Sequence, residues 1–176
     1  MSAEPLPRLT LVTGGVRAGK SHFALELLGG VRHPAFLATL DCDDDEMQER
    51  VAAHRRERPS RWQTVEAHRD LVRHLSEIAT EVDAVLIDCL TNYVANGLID
   101  GREEQAVADD IAKILEICAR APYRVVMVSN EVGFDIAPDS ELGSRFPRFM
   151  GAANRRAAAQ ADRVYLMTAG IPVRLK

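Results

Sequence analysis

Gly14, Gly15, Val16, Arg17, Ala18, Gly19, Lys20 and Ser21 fit the pattern G-x-x-x-x-G-K-[ST], a loop built to hold phosphate. The glycines let successive backbone N–H groups turn toward one anion. A helix opening at the lysine adds the positive end of its dipole. In such a loop the lysine, here Lys20, reaches the β- and γ-phosphates of a nucleoside triphosphate, and the hydroxyl of Ser21 ligates Mg2+. The motif needs a strand before it and a helix after it. The apolar run Leu9–Val12 and the helical pattern through Leu28 supply both.

A second candidate is Asp88, which closes the apolar run AVLID. Phosphate-loop proteins place the acid that holds Mg2+, often through water, at such a strand end. The third is His54. Met47, Val51 and His54 fall at i, i+4 and i+7, so the imidazole shares one helix stripe. Arg50 and Arg58 lie one turn before and after it, with Arg55 and Arg56 adjacent. Cations disfavour the protonated imidazole and leave a neutral nucleophile, and the same arginines suit a triphosphate. Spacing alone favours a half-buried histidine on a basic helix. His22, His33, His68 and His74 lack this setting and read as surface or packing residues. Arg145, Arg148, Arg155 and Arg156 form a basic set suited to a second anionic substrate or to solvent.

The elements that position these residues alternate between strand and helix. Strands are expected at Leu9–Thr13, Ala35–Thr39, Thr64–Glu66, Ala84–Asp88, Arg124–Ser129 and Arg163–Thr168, with Ala169-Gly170 turning the last into a hairpin with Ile171–Leu175. Helices are expected near Lys20–Leu28, Asp44–Glu57, Arg69–Glu81, Thr91–Leu98, Glu103–Arg120 and Ser140–Ala161, the last kinked near Pro147. This order gives an α/β, mainly parallel sheet covered on both faces. Its carboxyl edge gathers the loop, Thr39-Leu40, Asp88 and Ser129-Asn130-Glu131, where ligands bind in such sheets.

Length and composition bound the function. With 176 residues, 47% hydrophobic and 27% charged, the chain suits a single domain spanning 1–176. A net charge of −4 does not indicate nucleic-acid binding. No apolar run approaches a membrane span, and MSAEPLPRLT lacks the form of a signal peptide. Three widely spaced cysteines, Cys42, Cys89 and Cys118, suit reduced thiols in a cytoplasmic protein.

Five stretches together resemble the bifunctional adenosylcobinamide kinase / adenosylcobinamide-phosphate guanylyltransferase family of cobalamin biosynthesis. They are LVTGGVRAGKS, FLAT with DDEMQERVAAHRRERPSRWQTVE, LIDCLTNYVANGL, VVMVSNEVGFDIAP and NRRAAAQADRVYLMTAGIPVRLK. The resemblance implies a three-layer P-loop NTPase fold of RecA-like type and two reactions. One passes the γ-phosphate of ATP or GTP to the hydroxyl of adenosylcobinamide. The other passes GMP from GTP, through a guanylylated histidine, to adenosylcobinamide phosphate. It places that histidine at His54 and nucleotide contacts at Gly14–Ser21, Ala38, Thr39, Leu40, Arg55, Arg56, Glu57, Arg58, Glu66 and Asp88, and it implies a homo-oligomer, usually a trimer. The loop has Ala18 where the family usually has serine. The alternatives are a single-activity P-loop small-molecule kinase and a nucleotide-dependent switch, the latter lacking an N-K-x-D motif.

Overall fold

The strands form where apolar residues run without interruption, because a parallel strand is covered on both faces. In a computed structural model of the chain, residues 7–41, 61–78, 80–132 and 141–176 are described. The order is β1 (Leu9–Gly14), α1 (Lys20–Leu27), β2 (Pro34–Ala38), β3 (Gln63–Glu66), α2 (Leu71–Ser76), β4 (Ala84–Asp88), α3 (Leu90–Ile99), α4 (Glu104–Arg120), β5 (Arg124–Val128), α5 (Glu141–Gln160), β6 (Arg163–Thr168) and β7 (Ile171–Arg174). Every residue of β1 and β2 is buried.

These strands make one seven-stranded sheet in the order β3-β2-β4-β5-β1-β6-β7. All neighbours are parallel except the closing pair β6–β7, the expected hairpin. β5 therefore stands between the strand that enters the loop and the strand that ends in Asp88. Val12 and Asp88 both register with Val128.

Alternation along the strands divides the core into two layers. Leu9, Leu11, Val85, Ile87, Val125 and Met127 face a cluster completed by α2 through α5, with Leu71, Leu90, Ile111, Leu115 and Met150. Val12, Leu86, Val126 and Val128 face the other side, with Ala24 of α1, Leu28 just after it and Trp62. Helices thus cover both faces, as the sequence predicts. Trp62, only 8% exposed, meets Phe36 edge-on at 6.4 Å between ring centres.

Two elements differ from expectation. The helix predicted to reach Glu81 ends at Ser76, whose hydroxyl donates to the Val72 carbonyl at 2.8 Å while the Glu77 N–H closes on Arg73. Such back-bonding slightly destabilises a helix. The C-terminal helix runs unbroken through Pro147. Proline there removes one backbone donor in the second turn, and the apolar stripe of Met150, Ala153, Ala157 and Ala161 in the core holds the helix regardless. The helix expected at Asp44–Glu57 lies outside the described residues.

Candidate active site at the carboxyl edge of the sheet

The loop begins where β1 ends, and its geometry explains its glycines. Gly14 has φ 145°, and a Cβ there would lie 2.3 Å from the Met167 carbonyl oxygen of β6. Only glycine lets β1 turn this close to its neighbour. Gly19 has φ 90° and caps α1, while Arg17 sits in the left-handed region at φ 59°. The Ala18 N–H donates to Gly15 and the Phe23 N–H to Gly19. Ala18 thus keeps its backbone place in the turn without a serine hydroxyl.

Lys20 is 7% exposed, and its Nζ donates to the Gly15 carbonyl at 2.6 Å. Burial pushes its pKa below the ordinary lysine value, against the opposing pull of Cys89 and Asp88. Asp88 is therefore close enough for its charge to act on the loop lysine. Ser21 follows Lys20 in the first turn of α1, half-buried. One carboxylate, one hydroxyl and the oxygens of a bound phosphate form the hard, oxygen-only set that Mg2+ takes, so these residues fit that ion. Among the described residues no cluster of three metal-ligating side chains exists.

The strand register gathers the other predicted nucleotide residues. Ala38 stands opposite Asp88 on one side and Glu66 on the other. The Thr39 N–H donates to the Asp88 carbonyl, and the buried Thr39 hydroxyl bridges the backbone of Cys89, donating to its O and accepting from its N, each at 2.6 Å. The peptide bond between Asp88 and Cys89 is cis. Asn96 donates to the Thr39 and His68 carbonyls, which ties α3 to the ends of β2 and β3. Leu40 follows, and Asp41 pairs with Arg69 at 2.6 Å. Gly14 to Ser21, Ala38, Thr39, Leu40, Glu66 and Asp88 all lie along this edge, with Glu66 exposed at its far end. His54, Arg55, Arg56, Glu57 and Arg58 lie outside the described residues. Downstream of them Trp62 is buried and Arg61 donates to Gly29 at 2.6 Å. The chain therefore leaves β2 at the carboxyl edge and re-enters at the start of β3. His22 and His33 pair at the surface with Glu26 and Asp83, and Cys89 and Cys118 are free, buried thiols.

Glu131 reaches the carboxyl edge as expected, but the partners that hold it there, Thr13 and Asn154, were not foreseen. Glu131 accepts from Thr13 at 2.7 Å and from Asn154 at 3.1 Å. Asn154 is a buried amide in the alanine-rich stripe of α5, and that lone polar residue was the available signal. The Gly170 N–H of the hairpin turn donates to the Ala18 carbonyl at 3.3 Å, so the C-terminal hairpin braces the loop. Of the basic set, Arg145 pairs with Glu104 at 2.8 Å, while Arg148, Arg155 and Arg156 lie on the exposed face of α5.

A family model described as "Cobinamide kinase / cobinamide phosphate guanyltransferase" matches residues 10–175. The chain is 37% identical to the bifunctional adenosylcobalamin biosynthesis protein CobU of Salmonella typhimurium, over 96% of this chain and 99% of that one. It is 39% identical to the protein of that name from Escherichia coli K12 at the same coverage. Against the bifunctional adenosylcobalamin biosynthesis protein CobP of Pseudomonas aeruginosa it is 34% identical over 94% of this chain and 96% of that one. Among solved structures, a KaiC-like protein of Pyrococcus horikoshii superposes with TM-score 0.53 at 15% identity, over 90% of this chain and 71% of that one. The RadB recombinase does so with TM-score 0.50 at 14% identity, over 91% and 74%. These two likenesses show the fold: a RecA-like P-loop NTPase sheet.

Proposed function

The chain belongs to the cobinamide kinase / cobinamide phosphate guanyltransferase family, and from that premise we propose how its residues divide the two reactions. It is a bifunctional enzyme of cobalamin biosynthesis, a cobinamide kinase and a cobinamide phosphate guanylyltransferase. The observation that carries the division is the closed loop. Its buried Lys20 and the nearby Asp88 face the edge where β2 and β5 also end.

In the kinase step the loop amides and Lys20 hold the β- and γ-phosphates of ATP or GTP. The hydroxyl of adenosylcobinamide attacks the γ-phosphorus, and the bond to the bridging oxygen breaks to release the nucleoside diphosphate. Lys20 stabilises the charge that spreads over the transferring group. Ser21 and Asp88 are the residues that would hold Mg2+; when bound, it neutralises phosphate charge. In the second reaction the neutral imidazole of His54 attacks the α-phosphorus of GTP and pyrophosphate leaves. A phosphate oxygen of adenosylcobinamide phosphate then attacks the same phosphorus. The P–N bond breaks, His54 is restored and adenosylcobinamide-GDP forms. Arg55, Arg56 and Arg58 clamp the triphosphate, and Glu57, Glu66, Ala38, Thr39 and Leu40 contact the nucleotide.

We read residues 1–176 as one working domain in the cytoplasm. Among the described residues no helix is long and apolar enough to cross a membrane. A homotrimer is the assembly the family resemblance implies. The edge strand β7 supports burial against another copy, with Ile171 62% and Val173 42% exposed. Size measurement by light scattering tests that.

The test of the whole reading uses GTP labelled at the α-phosphate, followed by denaturation. Acid-labile, alkali-stable label on the wild type, absent in His54→Ala, supports it. A wild type that phosphorylates cobinamide yet never takes the label is a kinase alone.

A further inference from the structure

We propose that Glu131 accepts the proton of the attacking alcohol in the kinase step, a role that rests on the kinase reading above. β5 ends between the phosphate loop and Asp88, and Glu131 lies just beyond that end. Its backbone N–H donates to the Gly14 carbonyl at 3.0 Å, which fixes it against the first residue of the loop. The carboxylate lies on the α5 side of the sheet, because Thr13, its partner, follows Leu9 and Leu11 on that face.

The carboxylate is held as an acceptor with one oxygen committed. Oε1 takes both bonds, from the Thr13 hydroxyl at 2.7 Å and the Asn154 amide at 3.1 Å. Oε2 takes neither of these bonds. Both donors are neutral, and among the described residues no ion pair engages Glu131. The donors are themselves anchored. Asn154 Oδ1 accepts from Ser129 at 2.6 Å, and its amide also donates to the Asn130 carbonyl at 2.9 Å. Thr91 accepts the Asn130 N–H at 2.8 Å and meets the Ser129 hydroxyl at 3.3 Å. Thr13, Thr91, Ser129 and Asn154 are each at most 7% exposed. Among the described residues no buried side-chain polar atom lacks a partner. A buried polar chain is costly unless fully satisfied, and once satisfied it is stiff. This one ends on a single half-buried carboxylate beside the phosphate loop, the arrangement a general base requires.

The step balances. The alcohol oxygen bonds to the γ-phosphorus, and the bond from that phosphorus to the bridging oxygen breaks with its electron pair leaving on the nucleoside diphosphate. The alcohol proton passes to Oε2 of Glu131 and later to water.

Glu131→Gln tests this, because its amide oxygen can still accept from Thr13 and Asn154 while the basic carboxylate is gone. Kinase turnover with cobinamide and GTP should fall about 100-fold or more at saturating substrate, with KM for GTP and melting temperature unchanged. Guanylylation by α-labelled GTP, and GMP transfer to supplied cobinamide phosphate, should stay within a few-fold of wild type. Kinase turnover within a few-fold of wild type overturns the proposal. So does a loss that raised Mg2+ restores, which makes Glu131 a metal ligand, or a loss accompanied by a lower melting temperature and lost guanylylation, which makes it structural. If the wild type itself does not phosphorylate cobinamide, the kinase reading fails instead.

Discussion

Lys20 donates its ammonium to the carbonyl oxygen of Gly15 at 2.6 Å, so the phosphate loop is drawn closed around its own cation. Burial lowers the pKa of this cation, and the nearby Asp88 offsets that only in part. A triphosphate bound in the loop would add further anionic charge beside Lys20.

Lys20→Ala should therefore abolish phosphoryl transfer, at a cost of about 3 kcal/mol or more in transition-state stabilisation. Steady-state kinase assays at saturating nucleotide check this. Activity within a few-fold of wild type would refute the role of the loop.

Gly14 and Gly15 are adjacent but should respond differently to alanine. A Cβ at Gly14 meets the Met167 carbonyl at 2.3 Å in a left-handed backbone, whereas nothing lies within 4 Å of one at Gly15. Gly14→Ala should cost about 1–3 kcal/mol or more of stability. Gly15→Ala should stay within about 0.5 kcal/mol. Urea denaturation of both variants decides, and equal midpoints would contradict the packing of the loop on β6.

His54→Ala should keep kinase activity and lose guanylyl transfer. Separate assays with γ- and α-labelled GTP read the two steps. Retention of both to the same degree would reject His54 as the nucleophile.

Asn154→Ala should destabilise the protein by about 1–3 kcal/mol, because it strips partners from the buried Ser129 hydroxyl and the Asn130 carbonyl. Thermal unfolding measures the loss. An unchanged melting temperature would show that the network adds nothing to stability.

Stability should fall in alkali. Burial raises the Cys118 thiol from 9.0 to about 12, and Cys89 to about 12 for the same first reason. Between those values the unfolded chain ionises its thiols while the folded chain keeps them protonated. This contribution to stability is whole below pH 9 and is lost as pH rises toward 12. Cys118→Ala should flatten the fall by up to about 1.4 kcal/mol per pH unit. Urea midpoints across that range provide the comparison, and an identical slope would count against the buried thiol.

Much of the fold was legible because its signals are local. A buried parallel strand needs an apolar stretch, and β1, β2, β4 and β5 are such stretches. The loop was legible because only glycines and a lysine at that spacing wrap an anion. Helix ends were less so. α2 ends at Ser76 with no glycine or proline to mark the place, and Pro147 is overridden by core contacts its own residues do not announce.

By itself, the sequence announced the phosphate loop and the strand-end carboxylate, and raised the expectation of a histidine among arginines. Only the tertiary structure decided which of its residues meet. Thr13 and Glu131 are 118 positions apart, and Glu131 and Asn154 are 23 apart, yet they converge because β5 inserts between β1 and β4 and α5 packs across the same face. Hydrogen bonds between distant segments depend on strand order and helix packing. Those follow from how the whole core closes, which no local spacing records.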